Sequence, residues 1–233
     1  MVLKSMDWTK SLRAYVMRKQ SPALALGLML AVAAMGRAAS GDLSVRDFLG
    51  PPAGKTYTYV AGSETYEVIG LAPVGTQGVK VEERVQIPED IREQVRGTKI
   101  RFPQYDLIAV EGKLMKVIDD RSAEIVLQEP LTPRSSSWLS TGVAYEGHAA
   151  IKLRLECTID AVSPQHVFDA TRLVASVRCE ALGEKPALSV VTIHKYAQGV
   201  GLIEQSIETS GGADRSQGSV RSILQKIETT RSR

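Results

Sequence analysis

The chain has 233 residues and a formal net charge of +3, but its cations crowd into the first forty positions. Without residues 1–40 it keeps 23 Lys and Arg against 25 Asp and Glu, a net charge of −2. That balance removes the compositional case for nucleic-acid or anionic-membrane binding, and what remains suits one domain able to bury about 70% of its unfolded surface.

Lys4, Lys10, Arg13, Arg18 and Lys19 precede residues 23–35, an apolar run without a charge, and Ala38-Ala39-Ser40 follows. Charged, apolar and small-residue segments in that order predict a secretory signal peptide over residues 1–40, cut between Ser40 and Gly41. The competing reading is an uncleaved membrane anchor, but a spanning helix needs about 20 apolar residues and this run is shorter. The predicted location is the periplasm or outside the cell, with membrane contact only through this segment if it stays uncut.

Residues 41–54 read as a lead-in: Phe48 and Leu49 are placed to dock on the domain, and Pro51-Pro52 stops any helix. A β-rich domain is expected over residues 55–208. Residues 55–60 and 65–70, rich in Tyr, Thr and Val and separated by Gly62-Ser63, predict a hairpin. Residues 78–87 alternate Val79 and Val81 with Lys80 and Glu82, then change phase through Glu83-Arg84, which predicts a bulge or bend there. Pro88 at a first turn, Glu89-Asp90 at the positive helix end, and Ile91 and Val95 on one face predict a short helix over 88–96. Strands resume at 98–102, 106–111, 113–118 and 123–128, and residues 129–137 form a polar loop ahead of Trp138. Strand pattern returns at 141–159, with a break near Glu146-Gly147, and again at 168–180, 188–196 and 201–208. Residues 209–233 hold a flexible break at Gly211-Gly212-Ala213-Asp214 and a C-terminal edge element. Within it Val220, Ile223, Leu224 and Ile227 have helical spacing, while length and context favour an edge strand. Punctuation by Gly and Pro every ten or so residues favours an antiparallel sheet, curved or closed, over alternating βα units.

The two cysteines, Cys157 and Cys179, are an even pair in a chain addressed to an oxidising compartment, which predicts a disulfide. If their segments form a hairpin about the turn at 163–169, the two face each other near its midpoint. Two reduced core cysteines are the competing reading.

No catalytic, cofactor-binding or metal-ligating set emerges. The run from Gly50 to Thr56 has one residue too few between its glycines for a phosphate loop and leads into a strand. His148, His166 and His194 have no second ligand at a metal-binding spacing. A Ser163, His166 and Asp169 arrangement places its members in one turn, where the geometry of a triad is rarely met. Paired carboxylates such as Glu82-Glu83 read as solvated faces, and low aromatic content argues against a carbohydrate platform.

The most distinctive stretch is Tyr196-Ala197-Gln198-Gly199-Val200-Gly201-Leu202. Together with residues 162–177 it resembles a two-part pattern of uncharacterised bacterial exported envelope proteins and lipoproteins, in which a "tyr-ala-x-gly-val-gly-leu" segment follows a strand–turn–strand unit. Phe168 and Asp169 match the turn of that unit, whereas His166-Val167 replace its usual glycine. The resemblance implies a strongly curved antiparallel half-barrel like that of periplasmic lipoprotein carriers, and no catalytic residues. Tyr196, Gly199 and Gly201 then form a structural motif: the glycines permit positive φ or close backbone approach, and Tyr196 and Leu202 pack under the turn. The expected function is an exported, non-catalytic envelope protein whose concave face holds an apolar ligand, such as a lipid, or a partner envelope protein. A periplasmic hydrolase is the alternative. A polar pocket joining His194 or His148 to a carboxylate and a nucleophile would favour it.

Overall fold

The computed structural model describes residues 43–85, 102–119, 122–146, 149–182, 188–211 and 217–230. The predicted signal segment with its Ser40/Gly41 cut, the helix over 88–96, the strand residues 98–101, His148 and residues 212–214 of the break lie outside them. A compact unit begins at Ser44, just past the predicted cut.

Twelve strands follow one short 3-10 helix, Val45–Phe48. The first six are β1 (Lys55–Ala61), β2 (Glu64–Val74), β3 (Gly78–Val85), β4 (Gln104–Val110), β5 (Lys113–Asp119) and β6 (Ser122–Gln128). The second six are β7 (Ser137–Glu146), β8 (Ala149–Val167), β9 (Ala170–Leu182), β10 (Leu188–Ala197), β11 (Gly201–Gly211) and β12 (Gln217–Thr229). They form one antiparallel sheet in the order β6-β5-β4-β3-β2-β1-β12-β11-β10-β9-β8-β7 that curls into a nearly closed barrel. Each half of the chain is thus a six-stranded meander, and the halves join where β1 pairs with β12, from Lys55↔Thr229 to Ala61↔Ser222. The expected curved sheet is present, and two such halves make the barrel.

Residues 217–229 are a strand, as length suggested. The edge placement is corrected: β12 lies between β1 and β11, bonded on both sides. Of the residues at helical spacing, Leu224 and Ile227 pack on the core because a register shift opposite Thr58/Tyr59 brings Ile227 opposite Tyr57, while Val220 is exposed. The bulge expected at Glu83-Arg84 is also corrected. β3 keeps strict alternation, with Val79, Val81 and Glu83 toward the interior, and the register shift lies in its partner β2 between Gly70 and Ala72.

The free edges are those of β6 and β7. Across this seam the Trp138 indole Nε1 donates to the Ile125 carbonyl at 3.0 Å, satisfying an edge acceptor that strand pairing leaves open. The connecting loop ties down one end of the seam: Arg134 N donates to the Ile159 carbonyl at 2.9 Å, and Glu129 Oε1 accepts from Val45 N at 2.9 Å.

The lead-in closes one end of the barrel. Ser44 caps the 3-10 helix in a capping box with Asp47. Val45, Phe48 and Pro51 are buried, and Gly199 N donates to the Asp47 carbonyl at 2.6 Å. Phe48 docks as expected. At the opposite end the connections after β3, β5, β7, β9 and β11 contain residues outside those described.

Outside, the strands carry charge. Lys195 and Arg221 both reach Glu204, at 3.1 and 3.0 Å, and Arg178–Glu180, Lys226–Glu228 and Lys80–Asp106 form further pairs.

Candidate functional site

A buried disulfide joins β8 and β9 in one wall of the interior. Cys157 and Cys179 stand directly opposite in the β8–β9 register, with Cα atoms 4.0 Å apart, and are bonded. Both are buried, so the pairing resolves the choice between a bridge and two core thiols. The turn between their strands is tighter than the sequence suggested, confined to Phe168 and Asp169, with Phe168 at φ +55°.

The Tyr196–Leu202 segment is the β10–β11 turn, and each of its marked residues has a visible task. Gly199 has φ +74° and Gly201 φ +101°. A Cβ on Gly201 would lie 2.8 Å from the Gly50 Cα, and one on Gly50 would collide with the Val200 carbonyl, so the lead-in and the turn meet backbone to backbone. Two β1 tyrosines brace the turn from inside: Tyr57 Oη donates to the Val200 carbonyl at 2.8 Å and Tyr59 Oη to the Leu202 carbonyl at 2.7 Å. Tyr196, buried, and Leu202 line the interior beneath it.

That interior holds a cavity of about 500 Å³. Its apolar wall includes Phe48 and Pro51 of the lead-in with Val68, Leu107, Leu114 and Leu202. Four of the chain's seven tyrosines, Tyr59, Tyr66, Tyr105 and Tyr196, also line it. The chain's modest aromatic content is thus concentrated on this face. Tyr59 and Tyr66 stack at 5.0 Å between centroids as a directly opposed cross-strand pair. Burial raises the hydroxyl pKa of Tyr59, Tyr66, Tyr105 and Tyr196, and that of Tyr57 to about 12, so all five remain protonated donors.

A polar group shares the cavity. Tyr105 Oη donates to Glu83 Oε1 at 2.7 Å, and Lys116 Nζ lies 3.7 Å from the same oxygen and 4.1 Å above the Tyr105 ring. Glu124 of β6, Gln205 of β11 and Ser222 of β12 complete it together with His194 of β10. The Glu124 pKa is raised, chiefly by burial, with Lys116 opposing and Glu83 adding to the shift. His194 is pushed down to about 4, first by burial and then by Lys116, so at neutral pH its imidazole is uncharged. Its Nε2 is buried with no hydrogen-bond partner among the described residues.

Of the two described histidines, His194 is therefore the one brought to the cavity. The sequence signal for the cavity lay in Glu83, whose inward-facing charge in a β-strand looked like a change of phase. His166 is exposed, and Ser163 Oγ accepts from Gln165 at 3.4 Å, so the turn assembles no triad. Within the cavity Ser222 is hydrogen-bonded to Tyr66, and the His194 Nε2 makes no bond to it, so no nucleophile–base pair is formed. No cluster of metal-ligating side chains occurs among the described residues.

No family model matches the chain, and no curated protein matches it. Among solved structures, a proposed exported protein with a YmcC-like fold from Bacteroides fragilis is similar at a TM-score of 0.40 and 9% identity, over 78% of this chain and 98% of its own. A proposed lipoprotein from Parabacteroides distasonis is similar at a TM-score of 0.37, with the same identity and coverage. Likenesses this distant carry no conclusion about fold, function or location.

Proposed function

We propose that this is an exported, non-enzymatic binding protein that holds an amphipathic ligand inside its barrel. The observation that carries the reading is the cavity: about 500 Å³ bounded by the sheet and the lead-in, mostly apolar, with a few convergent polar groups. That combination of volume, apolar wall and sparse polar contacts is the usual form of a small-molecule site, and a small barrel commonly holds one ligand. Export is supported by the order of segments in residues 1–40 and by a buried disulfide, which persists in oxidising compartments.

Native mass spectrometry and solvent extraction of the protein recovered from its own host test the reading. A co-purifying lipid-like molecule, and thermal stabilisation when amphiphiles are added back, are the expected results. An empty protein that no amphiphile stabilises would contradict it. N-terminal sequencing of the same preparation checks export: a start at Gly41 is expected, and a start at Met1 with membrane retention would mean an anchor.

A further inference from the structure

The cavity's charges do not cancel. Its titratable lining consists of Glu83 on β3, Lys116 on β5, Glu124 on β6 and His194 on β10, besides the tyrosines. Lys116 is taken: it pairs with Glu83 at 3.7 Å and sits over the Tyr105 ring. The imidazole of His194 is neutral. Glu124 stands opposite Lys116 in the β5–β6 register and feels its charge, but it forms no ion pair of its own among the described residues, and burial disfavours its charged form. Beside these stand Tyr196, whose ring face carries partial negative charge, and His194 Nε2, which accepts a hydrogen bond when the neutral ring is protonated at Nδ1 and has no partner among the described residues. Among the described lining residues the unmatched groups are Glu124, the neutral amide of Gln205 and, in the tautomer protonated at Nδ1, the acceptor His194 Nε2, while the one cation, Lys116, already meets Glu83.

We infer that the ligand's polar end is a protonated amine or alkylammonium group, held by the Glu124 carboxylate and His194 Nε2 beside the Tyr196 ring, with its chain along Val68, Leu107, Leu114 and Leu202. This rests on the cavity being a ligand site and adds the charge of the head group. An anionic head would meet Glu83 and Glu124, with the one ammonium among the described lining residues already paired. A neutral hydroxyl would satisfy His194 but leave Glu124 unmatched.

Three probes sharing one chain separate the two levels: dodecylammonium, dodecanol and dodecanoate, titrated below their aggregation concentrations into protein stripped of bound lipid. Dodecylammonium is expected to bind about tenfold more tightly than dodecanol, the scale of one charge-assisted hydrogen bond, with dodecanoate weakest. Glu124→Gln is expected to remove that advantage, with an unchanged circular dichroism spectrum showing that the variant folds; Glu124→Asp keeps it. In the unmodified protein the advantage falls as the pH is lowered and Glu124 takes up a proton, while the amine stays charged, so the test does not depend on the variants folding. Dodecanoate binding as tightly as the amine, or an amine preference indifferent to Glu124→Gln and to pH, overturns the inference and leaves the cavity reading standing. Failure of all three probes overturns both.

Discussion

Gly201 carries more of this structure than its size suggests. At φ +101°, with the Gly50 backbone where a side chain would point, it serves both as the turn into β11 and as the seat of the lead-in. Gly201→Ala is expected to destabilise the protein by about 2 kcal/mol, seen as a lower midpoint of urea unfolding. His194 provides a second residue-scale test. Its folded pKa of about 4 lies below the ordinary 6.5, so the unfolded chain binds the proton more readily. Stability from this group is complete above pH 6.5 and is lost as the pH falls toward 4, by at most about 3 kcal/mol. His194→Gln should remove this contribution, so the difference between the unfolding free energies of the two proteins should change across that window. A difference independent of pH would show the imidazole to be solvated. These two residues were not equally legible in the sequence. The glycines of Tyr196–Leu202 announce a turn by their type, whereas a lone histidine in a strand shows its face only once its neighbours' register is known.

At the scale of elements, the β8–β9 hairpin is closed by its disulfide and the barrel by its seam. The bridge spans 22 residues in sequence, for which the chain-entropy account gives about 3 kcal/mol. Because Cys157 and Cys179 are buried, reductant is expected to act only on unfolded molecules, shifting the denaturation midpoint while leaving native protein resistant. Rapid reduction of the native protein would contradict this placement. The seam between β6 and β7 depends on the Trp138 indole where other neighbours have a ladder. Trp138→Phe is expected to speed amide hydrogen exchange in β6 and β7 while leaving β1 and β12, paired on both sides, unchanged. Uniform acceleration through the sheet would mean that the seam opens only with global unfolding. Most strands were legible from Val, Ile, Tyr and Thr runs between turn residues. The seam and the interior place of β12 were not, because pairing between chain ends is set by the closure of the whole sheet.

For the whole molecule, the arrangement of charge explains the barrel's purpose better than its shape does. Ion pairs such as Lys195–Glu204–Arg221 cover the outside, while Glu83, Lys116 and Glu124 line an otherwise apolar interior, where charge is costly unless something meets it. The sequence pointed to a curved antiparallel sheet, which is present. It did not show the tyrosines and carboxylates gathered there, since residues from β1, β2, β3, β4, β5, β6 and β10 become neighbours only across the closed interior. The central claim is that a ligand occupies that interior, and the most direct measurement is photolabelling with an alkylamine carrying a diazirine on its chain, followed by mapping of the modified residues. Labels on Val68, Leu107, Leu114 or Leu202, displaced by excess dodecylammonium, are predicted. Labels confined to exposed positions such as Leu139 or Val220, or none that competitor displaces, would contradict it.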